Sequence, residues 1–312
     1  MVPAVTGTSL PVLAITGGTG FVGGTLLRHA VLRQHHVRAL ARRPQPAMRG
    51  VDWIGGSLED PAALARLVEG ADAVIHVAGL TTARDRAGFE AGNVHGTLAV
   101  VEAAAAAGVR RFVNVSSLAA REPDLSDYGW SKFRAEQVVG ASGLDWTSVR
   151  PPAVFGPGDR DILEVFKMAR RGVVLLPPGG RLSVIEASDL SRLLLSLVPA
   201  PETVGQTYEP DDGTPGGWSQ AGFAEAIGAA VGRSRILTLH APRLVLRAAS
   251  RIDRLVRGRR AKLTRDRAAY YSHPDWVADP ALRPPTDVWN PHVDTRAGLV
   301  ATANSYRAAG WL

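Results

Sequence analysis

Ala14-Ile15-Thr16-Gly17-Gly18-Thr19-Gly20-Phe21-Val22-Gly23 runs an apolar segment into a glycine-rich turn and then into a helically spaced apolar segment. Pro11 to Ile15 has the length of a buried strand, and Phe21, Val22, Leu26, Leu27, Ala30 and Val31 recur at helical spacing. Between them, Gly17 and Gly20 allow positive φ and let the main chain approach a pyrophosphate, and Gly23 lets helix pack on strand. The N-terminus of the helix then turns unpaired N–H groups and a partial positive charge toward the phosphates. Glycine triplets also serve turn geometry alone, so the flanking periodicity is what makes the stretch a dinucleotide site. The spacing is Gly-x-x-Gly-x-x-Gly, one residue wider at its start than the commonest dinucleotide turn.

Outward from that turn, strand and helix alternate. His36 to Ala41 reads as a second strand, Val51 to Ile54 as a third, Ala73 to Gly79 as a fourth and Arg111 to Ser117 as a fifth. Helices are expected from Asp60 through Val68 and from Asn93 to Ala107. This pattern predicts an α/β protein, a doubly wound parallel sheet of Rossmann type. Ala78 and Gly79 end the fourth strand at the carboxyl edge, where ligands of open α/β sheets lie. His76, mid-strand, is expected to be a satisfied core histidine.

The end of the second strand bears on which nicotinamide cofactor fits. An acidic residue there bonds the adenosine ribose 2′-hydroxyl of NAD, whereas a 2′-phosphate needs cations. Here stand Arg42 and Arg43, with no acid between Gly24 and Val51. A guanidinium grips phosphate bidentately, which predicts NADP(H).

Asp127-Tyr128-Gly129-Trp130-Ser131-Lys132 opens a further helix, with Tyr128 and Lys132 four residues apart on one face. A phenol, with an ordinary pKa of about 10, is a poor proton donor at neutral pH; a neighbouring ammonium stabilises its phenolate and makes it useful. Ser117 at the end of the fifth strand supplies a hydroxyl to hold a carbonyl while Tyr128 gives it a proton. Ser116 is the alternative.

These residues resemble the extended, epimerase/dehydratase-like branch of the short-chain dehydrogenase/reductase superfamily. The resemblance covers residues 11 to about 200 and is carried by Thr16 to Gly23, Val77-Ala78-Gly79, Asn93-Val94-His95-Gly96-Thr97, Ser116-Ser117, Tyr128-x-x-x-Lys132 and Arg150 to Gly158. It implies a catalytic set of Ser117, Tyr128 and Lys132, with Lys132 also bonding the nicotinamide ribose. It implies further that Gly17, Thr19, Gly20, Phe21 and Val22 hold the cofactor. Pro151 and Val154 would line the nicotinamide, and Leu58 would flank the adenine. Ser57 stands where that family usually has an Asp. The segment from Leu118 to Asp127 is short and lacks the Tyr-Gly that nucleotide-sugar epimerases and dehydratases tend to show. Both the short segment and the NADP pattern resemble reductase-like members.

Domain organisation follows: residues 1–150 as the NADP-binding domain and 151–312 as a small substrate lobe with interleaved elements. Expected there are helices near Ile162 to Arg171, Asp189 to Leu197, Trp218 to Val231 and Asp294 to Ala309, with a strand near Leu182 to Ile185.

The chain has 312 residues, a formal charge of +7 and no cysteine, which excludes disulfides, thiolate metal sites and a cysteine nucleophile. Residues 1–10 lack a basic start followed by an apolar core, and no apolar run approaches the ~18 residues of a membrane span. A cytoplasmic protein is expected. The charge is concentrated: between Pro242 and Arg267 ten Lys or Arg face Asp253 and Asp266, a local +8. Within 242–260, Leu244, Val245, Ala248, Ala249, Ile252, Leu255 and Val256 make an apolar stripe at helical spacing, with Arg243, Arg247, Arg251 and Arg254 on the other side. Such a basic amphipathic helix either caps the substrate lobe or lies peripherally on an anionic membrane surface, here the inner membrane face. No base-stacking aromatics interleave the cations, so no nucleic acid is expected.

The sequence therefore predicts an NADPH-dependent reductase of a hydrophobic, lipid-borne ketone of the keto-sphingoid or ketoceramide type, with a homodimer expected by analogy. Two other functions stand beside it: a nucleotide-sugar epimerase or dehydratase, and a redox-silent NADPH-binding subunit. The intact Ser, Tyr and Lys set speaks against the last.

Overall fold

The computed structural model describes residues 10–177, 179–241, 269–270 and 272–312. The basic amphipathic helix expected at 242–260 lies outside the described residues.

The first half alternates β1 (Leu13–Thr16), α1 (Phe21–Leu32), β2 (Val37–Ala41), β3 (Val51–Gly55), α2 (Pro61–Val68) and β4 (Ala73–His76). After β4 come α3 (Arg86–Phe89), a π-helical stretch over Glu90–His95, α4 (Gly96–Ala106), β5 (Arg111–Val115), α5 (Asp127–Gly140) and β6 (Asp145–Val149). The helix expected from Asn93 thus starts earlier and is widened by π turns, a local feature that helical periodicity does not signal.

The second half holds β7 (Ala153–Phe155), α6 (Leu163–Arg170), β8 (Val173–Leu176), β9 (Arg181–Leu182), β10 (Val184–Glu186), α7 (Ala187–Leu197) and β11 (Gln206–Tyr208). It continues with β12 (Trp218–Ser219), α8 (Gln220–Ala230), β13 (Leu237–His240), β14 (Asp275–Trp276) and α9 (Thr295–Ala308). The strand expected near Leu182 to Ile185 is two strands: β9 pairs with β12 and β14, and β10 pairs with β7. Ser183 divides them, its hydroxyl donating to Asp211.

Seven strands form the main sheet in the order β11-β6-β5-β4-β1-β2-β3, with every pairing parallel. The order reverses between β1 and β4, so a crevice opens at their carboxyl ends. Period-two alternation assigns the faces: Leu13 and Ile15 pack with Leu26, Leu27, Leu190 and Leu194 of α1 and α7, while Ala14 packs with Leu64, Leu67, Val100 and Ala104 of α2 and α4. A separate core joins Phe155, Phe166, Val174, Ile227, Leu299 and Tyr306, drawn from β7, α6, β8, α8 and α9.

Polar groups fasten the second half to the first. Arg111, on β5, donates to the carbonyls of Leu197, Val198 and Asp145 and to the hydroxyls of Thr147 and Thr203. Arg150 grips Glu136 bidentately at 2.9 and 2.7 Å and reaches the fully buried Glu209 at 3.3 Å. Glu209 in turn accepts from the Asp279 backbone N–H.

Candidate active site

Gly17 has a φ of +74°, and a Cβ there would stand 2.6 Å from the Ala78 nitrogen, so only glycine lets the turn after β1 meet the end of β4. Gly20, expected to need the same freedom, is extended (φ −85°, ψ 176°) because it is the N-cap of α1. A Cβ at Gly23 would stand 2.1 Å from the Gly17 carbonyl oxygen, so the first turn of α1 folds back onto the loop. No side chain caps α1, whereas α2, α5, α8 and α9 are capped by Asp60, Ser126, Ser219 and Asp294. An uncapped helix N-terminus behind a glycine turn fits the pyrophosphate of a dinucleotide. Thr19 and Gly20 are exposed at its mouth, and Phe21 and Val22 are half-buried behind them.

Arg42 and Arg43 follow the last residue of β2, both exposed, and among the described residues no carboxylate pairs with either. Both guanidinium groups are open to an incoming phosphate. Ser57 accepts from the Glu59 N–H, and Leu58 packs over Gly96 at the start of α4.

A buried chain of hydrogen bonds supports this edge. The Thr97 hydroxyl donates to the Asn93 carbonyl at 2.6 Å, so it accepts from His76 Nε2 at 3.0 Å. His76 Nδ1 is then the acceptor from the Thr16 hydroxyl at 2.7 Å, and Thr16 accepts from the Ala78 N–H. The tautomer follows from this network. Burial holds the imidazole neutral, pushing its pKa down to about 3. His76 is a satisfied core histidine, as expected, although it is the last residue of β4 rather than a mid-strand one.

Lys132 is buried, and its ammonium donates to the Val115 carbonyl at 2.7 Å. A Cβ on Gly79 would lie 3.5 Å from Lys132 Nζ, so the lysine reaches the carboxyl end of β4 from below. Desolvation pushes it down to about 8. It is thus mainly protonated at pH 7. Tyr128, one turn earlier on α5, is half-buried, with its ring 6.0 Å from Phe89 and packed with Leu118, Ala119 and Trp276.

Ser117 lies two residues beyond β5, and its Oγ accepts from the Ala119 N–H at 3.2 Å, capping the 3-10 turn Leu118–Arg121 that packs on α5. That bond leaves the hydroxyl proton available. Ser116 Oγ is buried and has no hydrogen-bond partner among the described residues. Pro151 is buried beside this turn, its carbonyl accepting from the Leu118 N–H at 3.0 Å, and Val154 on β7 is half-buried.

A further participant is Asn93. The Asn93 side chain accepts from the Leu80 N–H at 2.6 Å, donates to the Leu80 carbonyl and donates to Ser131 Oγ at 2.9 Å. Ser131 in turn donates to the Tyr128 carbonyl. The amide therefore fixes the loop after Gly79 against the first turn of α5. The Asn93-Val94-His95-Gly96-Thr97 motif already carried that signal.

The structure thus brings the glycine turn, Ala78, Gly79, Lys132, Tyr128, Ser117 and Pro151 to one carboxyl edge of the sheet. Arg42 and Arg43 stand farther out, at the end of β2.

A family model described as NAD(P)H-binding matches residues 17–165. The chain is 37% identical to a ceramide reductase of Caulobacter vibrioides over 317 residues, covering 96% of each protein. It is 32% identical to a 2-alkyl-3-oxoalkanoate reductase of Stenotrophomonas maltophilia, covering 65% of this chain and 71% of that one. Among solved structures, WbmG of Bordetella bronchiseptica in complex with NAD superposes with a TM-score of 0.76 at 22% identity, over 98% of this chain and 97% of the other.

Proposed function

The chain belongs to the extended short-chain dehydrogenase/reductase superfamily and is an NAD(P)-dependent oxidoreductase, and from that premise we propose that it reduces a ketone on a hydrophobic, lipid-borne substrate to a secondary alcohol with NADPH. The observation that carries this reading is the end-to-end similarity to a ceramide reductase. It supports a substrate of the keto-sphingoid or ketoceramide type. WbmG-like neighbours, at 22% identity, share the fold.

When bound, the reduced nicotinamide supplies a hydride to the carbonyl carbon. The Ser117 hydroxyl holds the carbonyl oxygen, and the Tyr128 hydroxyl delivers a proton to it, leaving a phenolate. The Lys132 ammonium, charged at pH 7 and held to the Val115 carbonyl, stabilises that phenolate and bonds the nicotinamide ribose. Gly17, Thr19, Gly20, Phe21 and Val22 would hold the pyrophosphate, Arg42 and Arg43 the 2′-phosphate, Ser57 and Leu58 would flank the adenine, Ala78 and Gly79 would meet the cofactor at the carboxyl edge, and Pro151 and Val154 would line the nicotinamide. Residues 151–312 select the substrate. A cytoplasmic homodimer that meets the inner membrane face is part of the same reading; among the described residues no helix is long and apolar enough to cross a membrane.

The test is NADPH oxidation by the purified protein, with a long-chain 3-keto sphingoid base or its N-acyl derivative in detergent micelles, beside a panel of nucleotide sugars. Turnover of the keto lipid is expected. Turnover of a nucleotide sugar without added cofactor, and none of the ketone, overturns the reading.

A further inference from the structure

β8 and β13 form a two-stranded parallel ribbon on the outside of the second core, with Val173 opposite Leu237 and Leu175 opposite Leu239. Val174 and Leu176 point inward, against the core that includes Phe166 and Ile227. The alternate positions, Val173, Leu175, Leu237 and Leu239, are 42%, 50%, 57% and 46% exposed. A strand with one wet face ordinarily alternates apolar with polar residues. Here the solvent face of β8 is as aliphatic as its buried one, and β13 sets Leu237 and Leu239 outward while its alternate residues are Thr238 and His240. Its four side chains take no part in the core, so packing gives no reason for them, and a contiguous exposed aliphatic face marks a contact surface.

Its surroundings are cationic. Arg170 and Arg171 lead into β8 and Arg233 and Arg235 lead into β13, all exposed. The four are tied to one end of the ribbon, since Arg233 Nε donates to the Arg170 carbonyl and the Leu237 N–H to the Gly172 carbonyl. No Asp or Glu occurs in 165–185 or 226–241. Directly beyond the ribbon, the sequence carries its local charge of +8 between Pro242 and Arg267.

We infer that the outer face of this ribbon, with its collar of four arginines, docks on the surface of an anionic phospholipid bilayer. Charge selects that occupant. Covering the face with the chain's own residues 242–267 sets a strongly cationic segment on a cationic collar, and pairing two copies brings in four more arginines with no carboxylate from either ribbon segment to answer them. An anionic surface answers both the aliphatic face and the arginines. For its purpose, delivery of a lipid-borne ketone, the inference rests on the proposed function; its physical basis is independent of it.

The test is co-sedimentation of the full chain with vesicles of phosphatidylcholine alone or mixed with phosphatidylglycerol. Wild type is expected to bind the mixed vesicles at least roughly tenfold more tightly, and less so as salt rises. Leu175→Glu with Leu237→Glu, which leaves Val174 and Leu176 in place, loses roughly tenfold or more of that binding with NADPH affinity and melting temperature unchanged. Arg171→Gln with Arg235→Gln weakens binding severalfold and flattens its salt dependence. Vesicle binding by the double Glu variant equal to wild type, or no wild-type preference for anionic vesicles, overturns the inference. A wild-type dimer that the Glu variant splits also overturns it, because the face then belongs to a second copy. Where the Glu variant melts markedly lower, the arginine variant decides, and unchanged binding overturns. Keto-lipid turnover in micelles separates the two readings: docking stands if vesicle binding behaves as expected without turnover, and the reductase reading stands if turnover occurs without such binding.

Discussion

The crevice between β1 and β4 and the unit built around α6, α8 and α9 are held together by different means. At the crevice, groups close in sequence do most of the work: Gly17 and Gly23 set the turn, and Tyr128 and Lys132 ride one helical turn. The longest reach is the Thr16–His76–Thr97 chain, which links neighbouring strands and α4. In the second unit the ties span large separations. Asp189 accepts from the backbone of His292 and Val293, Asp211 from Arg283, and Arg121 donates to the carbonyls of Asp275 and Val277, across 72 to 156 positions. Chemistry requires atoms held to fractions of an ångström, and short-range constraints do that best. Closing a lobe over a substrate requires only that distant segments stay docked.

Substituting on either side of that contrast tests it. The largest effect is expected at the crevice: Tyr128→Phe lowers kcat about a thousandfold while NADPH binding, followed by fluorescence, persists. Activity within tenfold of wild type would remove Tyr128 from the chemistry. Next is Glu209→Ala, which leaves the half-buried Arg150 facing only Glu136 and frees the Asp279 N–H; we expect a loss of about 2 kcal/mol in urea unfolding, with the second unit opening first. A single cooperative transition of unchanged midpoint would show the long ties to be dispensable.

Acid then sets the two regions against each other. His76, held down to about 3 by burial, stays neutral in the fold but takes a proton in the unfolded chain below its ordinary 6.5, so it costs stability as pH falls. Asp159, pushed up to about 6 by burial, binds a proton in the fold before the unfolded chain does, so it adds stability as pH falls from about 6 toward 3.8. In wild type the two oppose each other between pH 7 and 5. Asp159→Asn removes the second and exposes a loss of about 2 kcal/mol over that interval in urea titrations. A flat profile in the variant would mean His76 is not held neutral. The smallest effect concerns recognition: Arg42→Ala lowers the preference for NADPH over NADH about tenfold, read by competitive titration, with stability unaffected.

The same contrast decides what could be read in the sequence. β1 to β5, the glycine turn and the Tyr128–Lys132 pair are written in local periodicity and spacing, and each element stands there in the structure, although β4 stops at His76 and β5 at Val115, before the Val77-Ala78-Gly79 and Ser116-Ser117 segments expected to continue them. Asp145–Val149 and Gln206–Tyr208 are a five- and a three-residue strand whose partners lie elsewhere in the chain, so nothing local identifies them as the far edge of the main sheet. Ser183, one residue between β9 and β10, sends its neighbours to different sheets through a bond to Asp211, 28 positions away. Asn93 was visible as a motif, but its clamp on Leu80 and Ser131 appears only once the π turns aim it.

Arg111 carries a consequence for synthesis. Four of the hydrogen bonds its guanidinium donates go to Leu197, Val198 and Thr203, and the strand beyond β6 is supplied by residues 206–208. A ribosome that has released only the first 150 residues therefore holds the glycine turn, Ser117, Tyr128 and Lys132, yet the sheet still has an open flank and a half-buried cation short of acceptors. Completion of that half waits for some sixty further residues to emerge, roughly 3–12 s at ordinary elongation rates. The nascent chain needs shelter over that interval, and a message truncated near codon 150 encodes an aggregation-prone fragment rather than a working cofactor domain.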